Sequence, residues 1–105
     1  MYLCDKYGYV KPTVYQGMYN AITRDVEREL IHCLKRFNIK FYAYNIIAGG
    51  VLSGKHKFDA PIQEGRFSGP QGQGYRQRYW QNSKFEAVQI IQAAIDKHNA
   101  ENNEK

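Results

Sequence analysis

The middle of the chain contains a glycine-rich stretch with the residue types of an anion-binding site. Ala48-Gly49-Gly50 is followed by Val51-Leu52-Ser53-Gly54-Lys55. Glycines allow backbone N–H groups to approach a phosphate, and clustered amides or a helix start supply partial positive charge. A hydroxyl and a lysine follow closely. The stretch therefore predicts a phosphate-binding turn, and an ordinary tight turn after a strand is the open alternative.

A second stretch interleaves basic and aromatic side chains. Arg76 and Arg78 lie among Tyr75, Tyr79 and Trp80. Aromatic rings can stack on bases while guanidinium groups hold phosphates, so binding of RNA or single-stranded DNA is one interpretation. The interpretation that we favour is that these aromatic residues anchor a loop to the body of the protein.

The other chemically reactive residues are dispersed. His32, His56 and His98 show no H-x-x-x-H spacing, and no C-x-x-C pair exists, so we predict no metal site. A G-x-S-x-G motif for a serine nucleophile is also missing from the sequence. Cys4 and Cys33 lie far apart and are predicted to be reduced thiols of a cytoplasmic protein.

The composition is that of one small globular domain or a piece of a larger one. Of 105 residues, 43% are hydrophobic, which argues against a disordered chain. The formal net charge of +5 suits an anionic partner such as a nucleic acid, a cofactor or a lipid, but an ordinary basic surface explains it more simply. We expect neither a signal peptide nor a membrane-spanning segment, because no window approaches about 18 apolar residues.

The elements that would position these residues form a βαβ pattern. The nearly continuous apolar run 39–47 predicts a strand that is covered on both faces, as in a parallel sheet. Pro12 opens an earlier strand over 13–19. Between the strands, apolar residues at helical spacing predict a helix of about fourteen residues over 24–37, with Thr23 as its N-cap and Asn38 at its end. The crossover should be right-handed.

The flanking segments are predicted as helices and a loop. Residues 1–6 resemble the end of a helix that Gly8 terminates. Residues 56–82 are predicted to form a long surface loop with one short helical turn near 75–80. Ser83 and Glu86 match a capping box for a final helix, beyond which residues 100–105 should be frayed.

Two strings resemble a known family. Residues 11–20 (KPTVYQGMYN) and 41–55 (FYAYNIIAGGVLSGK) are similar to the sixth and seventh barrel strands of the aldo-keto reductases. The similarity is to the branch of the aflatoxin-aldehyde and succinic semialdehyde reductases. Residues 24–27 (RDVE), 65–67 (GRF) and 75–80 (YRQRYW) extend it in the same order. Ile46 departs from the pattern, since the family usually has proline there.

The resemblance implies the α/β class and part of a (β/α)8 TIM barrel, a fold of typically about 250 residues. Residues 1–105 would be an internal fragment of an NADP-dependent oxidoreductase that reduces aldehydes and ketones to alcohols. The family's catalytic Asp, Tyr, Lys and His belong to earlier strands. The resemblance therefore implies no catalytic residue in this chain, which alone would be inactive.

The resemblance also assigns site residues. Gln16 would hydrogen-bond the nicotinamide carboxamide of NADP(H), and Tyr44 would stack on its ring. Tyr75 and Arg78 would contact the aldehyde substrate or its carboxylate. The pyrophosphate would be wrapped by Asn45, Ile46, Ile47, Ala48, Gly49, Gly50, Val51, Leu52, Ser53, Gly54 and Lys55. The implied partners include neither nucleic acid nor membrane, and a homodimer is allowed for the full-length protein. A small RNA- or single-stranded-DNA-binding module and an inactive truncated product are the alternatives.

Overall fold

A computed structural model describes residues 1–62 and 65–103. The chain forms two compact units, Met1–Ile46 and Ile47–Lys105, called unit 1 and unit 2 below. Unit 1 contains α1 (Tyr2–Tyr7), β1 (Val14–Met18), a 3-10 turn (Asp25–Glu27), α2 (Leu30–Arg36) and β2 (Lys40–Tyr44). Unit 2 contains a 3-10 segment (Ala48–Ser53), α3 (Gly72–Tyr79) and α4 (Asn82–Asn103).

The sheet of unit 1 confirms the predicted strand–helix–strand arrangement. β1 and β2 pair in parallel, from Val14 opposite Lys40 to Met18 opposite Tyr44. Two parallel strands need a crossover between them, and α2 lies in that crossover. This mixed α/β architecture is consistent with part of a (β/α)8 barrel.

The predicted fourteen-residue helix is wrong in length. The segment begins as a 3-10 turn, and the α-helix extends only over Leu30–Arg36. Thr23 is not an N-cap, because its backbone N–H and C=O both bond to the backbone of Asn20 in a tight turn. The Arg24 guanidinium and the Glu27 carboxylate pair at i and i+3, a spacing that a 3-10 turn brings into line.

The predicted helix ends of unit 1 are confirmed. Gly8 closes α1 with a φ of 68°, and Asn38 follows α2 with a φ of 54°. Both angles lie in the left-handed region in which glycine and asparagine commonly end helices.

The predicted coverage of β2 on both faces is wrong for this chain. Four of its five residues are exposed, and only Phe41 is half-buried. Parallel strands are normally covered by helices on both faces. Here α2 contributes a single buried side chain, Leu34, which is too little to cover the sheet.

Unit 2 is organised around aromatic side chains. Phe67 and Tyr79 are fully buried, and the Trp80 ring lies 5.0 Å from that of Phe67 and 4.9 Å from that of Phe85. Trp80 Nε1 also donates a hydrogen bond to the carbonyl oxygen of Phe58 at 3.1 Å. These contacts agree with the interpretation that the aromatic residues anchor their segment.

The segment predicted as a long loop contains more structure than expected. A helix of eight residues, α3, begins at Gly72 inside it, instead of a single turn near 75–80. A Cβ at Gly72 would lie 2.4 Å from the carbonyl oxygen of Phe67, so the helix starts against the backbone of the preceding turn. Gln63 and Glu64, within the predicted loop, lie outside the described residues.

The final helix differs from its prediction at both ends. α4 begins at Asn82 rather than after Ser83, and Glu86 accepts a hydrogen bond from Asn82 Nδ2 at 2.6 Å. The capping box is therefore wrong. The prediction that the helix frays from Ala100 is wrong, because α4 continues to Asn103. Residues 104–105 lie outside the described part of the chain. No helix among the described residues is long and apolar enough to cross a membrane.

Candidate cofactor site

Gln16 and Tyr44 lie on one face of the unit 1 sheet. Gln16 pairs with Tyr42, and Tyr44 follows two residues later on the same strand. Because side chains alternate between faces, Gln16, in the middle of β1, and Tyr44, the last residue of β2, share a face. Gln16 is exposed and Tyr44 retains 45% of its accessible surface. Both side chains are thus available to a ligand on this face.

The opposite face of the sheet carries two stacked aromatic rings. Tyr15 and Phe41 stack with their centroids 5.9 Å apart. A Cβ at Gly17 would lie 2.7 Å from Tyr15 Cε1 and 3.0 Å from Phe41 Cε2. The rings therefore occupy the space that a side chain at this position would need, which distinguishes this face from the one that carries Gln16.

The segment that follows β1 is held by polar contacts. Tyr19 donates its hydroxyl to Glu27 Oε1 at 2.6 Å, and Arg24 contacts both carboxylate oxygens of Glu27 at 2.8 and 3.0 Å. The hydrogen bond to Glu27 raises the pKa of Tyr19. The hydrogen bonds from Arg24 and Tyr19 lower the pKa of the Glu27 carboxyl.

Sequence reasoning missed Asn20, which lies after β1. Its Nδ2 donates to the carbonyl oxygen of Asn45 at 3.0 Å. Asn45, a predicted site residue at the end of β2, has a φ of 59°, and its neighbour Ile46 is 65% exposed. The only sequence signal for Asn20 was its place in the string KPTVYQGMYN, because its partner Asn45 lies 25 residues away.

The glycine-rich turn belongs to unit 2. Gly49, Gly50 and Gly54 have φ values of 69°, 117° and 73° in this turn, which strongly favour glycine. Ala48 and Val51 are buried and anchor it. Gly54 and the side chains of Ser53 and Lys55 are exposed, whereas Leu52 is half-buried and Ile47 is 59% exposed. The turn thus presents a glycine, a hydroxyl and a cation to solvent.

Several groups of the turn already bond within it. The Gly50 and Leu52 amides donate to the carbonyl oxygen of Ile47 at 2.9 and 3.2 Å. Ser53 Oγ donates to the carbonyl oxygen of Gly50 at 2.6 Å and accepts from the Lys55 amide at 3.4 Å. These bonds set the shape of the turn. The backbone conformation of the turn therefore requires the glycines by itself.

The structure brings the two predicted substrate residues together. Tyr75 and Arg78, on α3, line one small cavity of about 190 Å³. The Tyr75 ring also lies against the glycine turn, since a Cβ at Gly49 would be 3.0 Å from Tyr75 Cδ1. This contact links the predicted substrate residues to the predicted pyrophosphate turn within unit 2.

Sequence reasoning also assigned no site role to Arg66, a second residue of this region. Its Nη1 donates to the Tyr75 hydroxyl at 3.2 Å, and its guanidinium carbon lies 5.7 Å from the centre of the Tyr75 ring. Its only sequence signal was the string GRF. Arg66 orients Tyr75 and places a cation beside it.

The described residues contain no group of three or more His, Cys, Asp or Glu side chains that could hold a metal ion. Cationic side chains lie next to the glycine turn and beside Tyr75, namely Lys55, Arg66 and Arg78. Such a surface suits phosphate or carboxylate groups.

Comparison with known proteins agrees with this geometry. The aldo/keto reductase family model matches residues 1–102. Aflatoxin B1 aldehyde reductase member 2 from Rattus norvegicus is 48% identical over 97 residues, which cover 89% of this chain and 26% of the relative. Aldo-keto reductase family 7 member A3 from Homo sapiens is 48% identical over 99 residues, covering 89% of this chain and 29% of the relative. Aldo-keto reductase pigE from Monascus ruber is 35% identical over 106 residues, covering 94% of this chain and 31% of the relative. The chain thus spans between a quarter and a third of the length of these relatives, and it belongs to the aldo/keto reductase family.

Proposed function

We propose that this chain is part of an NADPH-dependent aldehyde reductase and supplies part of its cofactor site. The observation that carries the proposal is the exposed pair Gln16 and Tyr44 on one face of a parallel sheet in a member of this family. Relatives named as aldehyde reductases support the reaction type.

Gln16 and Tyr44 would hold the nicotinamide. A carboxamide side chain offers a donor and an acceptor and so matches the nicotinamide carboxamide. The Tyr44 ring would stack on one side of the nicotinamide and leave the other side for the substrate. Bound NADPH would supply the hydride that converts an aldehyde into an alcohol.

The residues from Asn45 to Lys55 would contact the pyrophosphate. The exposed Lys55 ammonium is a group that binds phosphate oxygens, whereas the Ser53 hydroxyl donates its hydrogen to the Gly50 carbonyl oxygen and maintains the shape of the turn. The buried Ala48 and Val51 keep the turn in place and leave these polar groups facing outward.

Tyr75 and Arg78 would contact the substrate. The small cavity that they line has a guanidinium at its wall, which suits an aldehyde that also carries a carboxylate. We assign no catalytic acid to the chain and propose that alone it has no reductase activity. We also propose that the full-length protein is cytoplasmic and forms a homodimer. It would require neither nucleic acid nor a membrane.

The nucleic-acid alternative has less support. Tyr79 is fully buried, and Trp80 is half-buried and contacts Phe67 and Phe85, so both rings are engaged in packing within unit 2. The folded protein should be titrated with NADPH and with a single-stranded oligonucleotide at near-physiological salt. We expect saturable NADPH binding. Tight oligonucleotide binding without NADPH binding would overturn the reductase assignment.

A further inference from the structure

Asn20 is a buried polar residue without a role in the proposed cofactor site. Within 1–62 and 65–103 it is the one polar or charged residue that is buried, with 7% of its surface exposed. Burying a carboxamide is unfavourable unless its donor and acceptor are both satisfied. A buried asparagine next to the carboxyl ends of two strands therefore indicates a specific structural task.

Both ends of the Asn20 carboxamide are engaged. Nδ2 donates to the carbonyl oxygen of Asn45 at 3.0 Å, and Oδ1 accepts from the backbone amide of Ile22 at 3.0 Å. The backbone of Asn20 exchanges two further hydrogen bonds with Thr23 at 3.2 and 3.1 Å. The side chain is therefore fixed by its own loop on one side and holds the end of β2 on the other.

The Asn20 side chain extends the sheet beyond its last backbone pair. The Tyr19 amide donates to the carbonyl oxygen of Tyr44 at 3.4 Å, and Asn20 Nδ2 donates to the next carbonyl, that of Asn45. Two consecutive carbonyl groups of the β2 end thus accept hydrogen bonds from two consecutive residues of the β1 end. Asn45 has a φ of 59°, a conformation that non-glycine residues rarely adopt and that surrounding contacts must maintain.

We propose that Asn20 is a positioning residue for the nicotinamide end of the cofactor. It fixes the backbone directly after Tyr44, and this backbone sets the direction of the Tyr44 ring. Aspartate could not replace it, because a carboxylate has no hydrogen to donate and would face the Asn45 carbonyl oxygen. The inference rests on the proposed function, since it assumes that Tyr44 contacts nicotinamide.

The test uses Asn20→Asp in the full-length protein that contains this chain. Turnover of an aldehyde with NADPH is measured together with the affinity for adenosine 2′,5′-bisphosphate, a nucleotide that lacks nicotinamide. A displaced Tyr44 should lower kcat about ten- to a hundredfold, because misplaced reacting groups cost rate. The affinity for the bisphosphate should be unchanged. Asn99→Asp, the same substitution at an exposed position of α4, is the matched control and should change neither quantity.

Asn20→Ala removes both side-chain hydrogen bonds without introducing a charge and replaces Asn20→Asp if circular dichroism shows that the latter is unfolded. A normal kcat in the folded variant would overturn the inference. The inference would also be overturned if kcat and the affinity for the bisphosphate declined in parallel, because Asn20 would then only stabilise the fold. Failure of the unaltered protein to bind NADPH would instead refute the proposed function.

Discussion

At the scale of single residues, the site depends on where a few side chains lie relative to the strand ends. The family resemblance identifies Gln16 and Tyr44, and the parallel register of β1 and β2 places them on one face of the sheet. The roles of Asn20 and Arg66 could not be predicted, because their partners Asn45 and Tyr75 are 25 and 9 residues away. No local pattern encodes such contacts.

Replacing Gln16 or Tyr44 with alanine in the full-length protein should lower turnover more than cofactor affinity. The pyrophosphate contacts would remain, while the hydride donor would lose its orientation, at a cost of about ten- to a hundredfold in kcat. Steady-state kinetics and NADPH fluorescence titration measure the two effects. Val14→Ala, on the same face but at the amino end of β1, is the control. Equal losses of affinity and turnover would contradict the assigned roles.

Arg78→Ala should raise the KM for aldehydes that carry a carboxylate. Losing a charge-assisted hydrogen bond costs about 1.5–3 kcal/mol, which corresponds to about tenfold or more in KM. Neutral aldehydes should be affected little. Arg76→Ala, an exposed arginine on the same helix that does not line the small cavity, serves as the control. A similar KM increase for neutral and acidic aldehydes would argue against a carboxylate contact.

At the scale of elements, the sequence predicted the strands better than the helices. The strands follow from apolar runs and from Pro12, which are local signals. The α2 helix is only seven residues long because the Asn20–Thr23 turn and the Arg24–Glu27 pair fold the preceding residues differently. Both contacts compete with helix formation, although the apolar side chains of this segment recur at helical spacing and therefore predict a longer helix.

The Glu27 contacts should make the β1–α2 connection sensitive to acid. The pKa of Glu27 is lower in the folded state, so its stabilising contribution is present above the ordinary glutamate range and is lost as the pH falls through the folded pKa. Thermal unfolding followed by circular dichroism between neutral and acidic pH measures this loss. Glu27→Gln should remove part of the pH dependence, whereas Glu101→Gln on α4 should leave it intact. An unchanged acid profile in Glu27→Gln would show that the pair is unimportant.

At the scale of the whole molecule, the chain is a small part of the fold found in its family. Each strand has one paired edge in the described residues, and Tyr42, Tyr44 and Val14 remain exposed on the sheet. Parallel strands in a barrel have partners on both edges and helices on the outer face. The two units therefore carry the proposed recognition residues without the apolar coverage that a complete barrel provides.

The isolated 105-residue chain should show no NADPH-dependent reduction of aldehydes above background. We assign it groups for binding but no proton donor for the developing alkoxide, and such a donor typically contributes about a hundredfold or more. Loss of NADPH absorbance with succinic semialdehyde or nitrobenzaldehyde is the measurement, with a full-length relative as positive control. Turnover by the purified chain would contradict this and require an acid among its tyrosines.

The aromatic cluster of unit 2 also provides an intrinsic fluorescence probe of that unit. Trp80 is the only tryptophan in the chain, and its indole lies among Phe67, Phe85 and His56, with ring centres 4.9 to 5.6 Å away. Selective excitation of the indole therefore yields emission from unit 2 alone, whereas the tyrosines Tyr15, Tyr42 and Tyr44 belong to unit 1. A red shift of that emission during denaturation would mark the point at which the aromatic cluster of unit 2 becomes exposed to water. Comparing this transition with the one recorded by circular dichroism would show whether the two units unfold together.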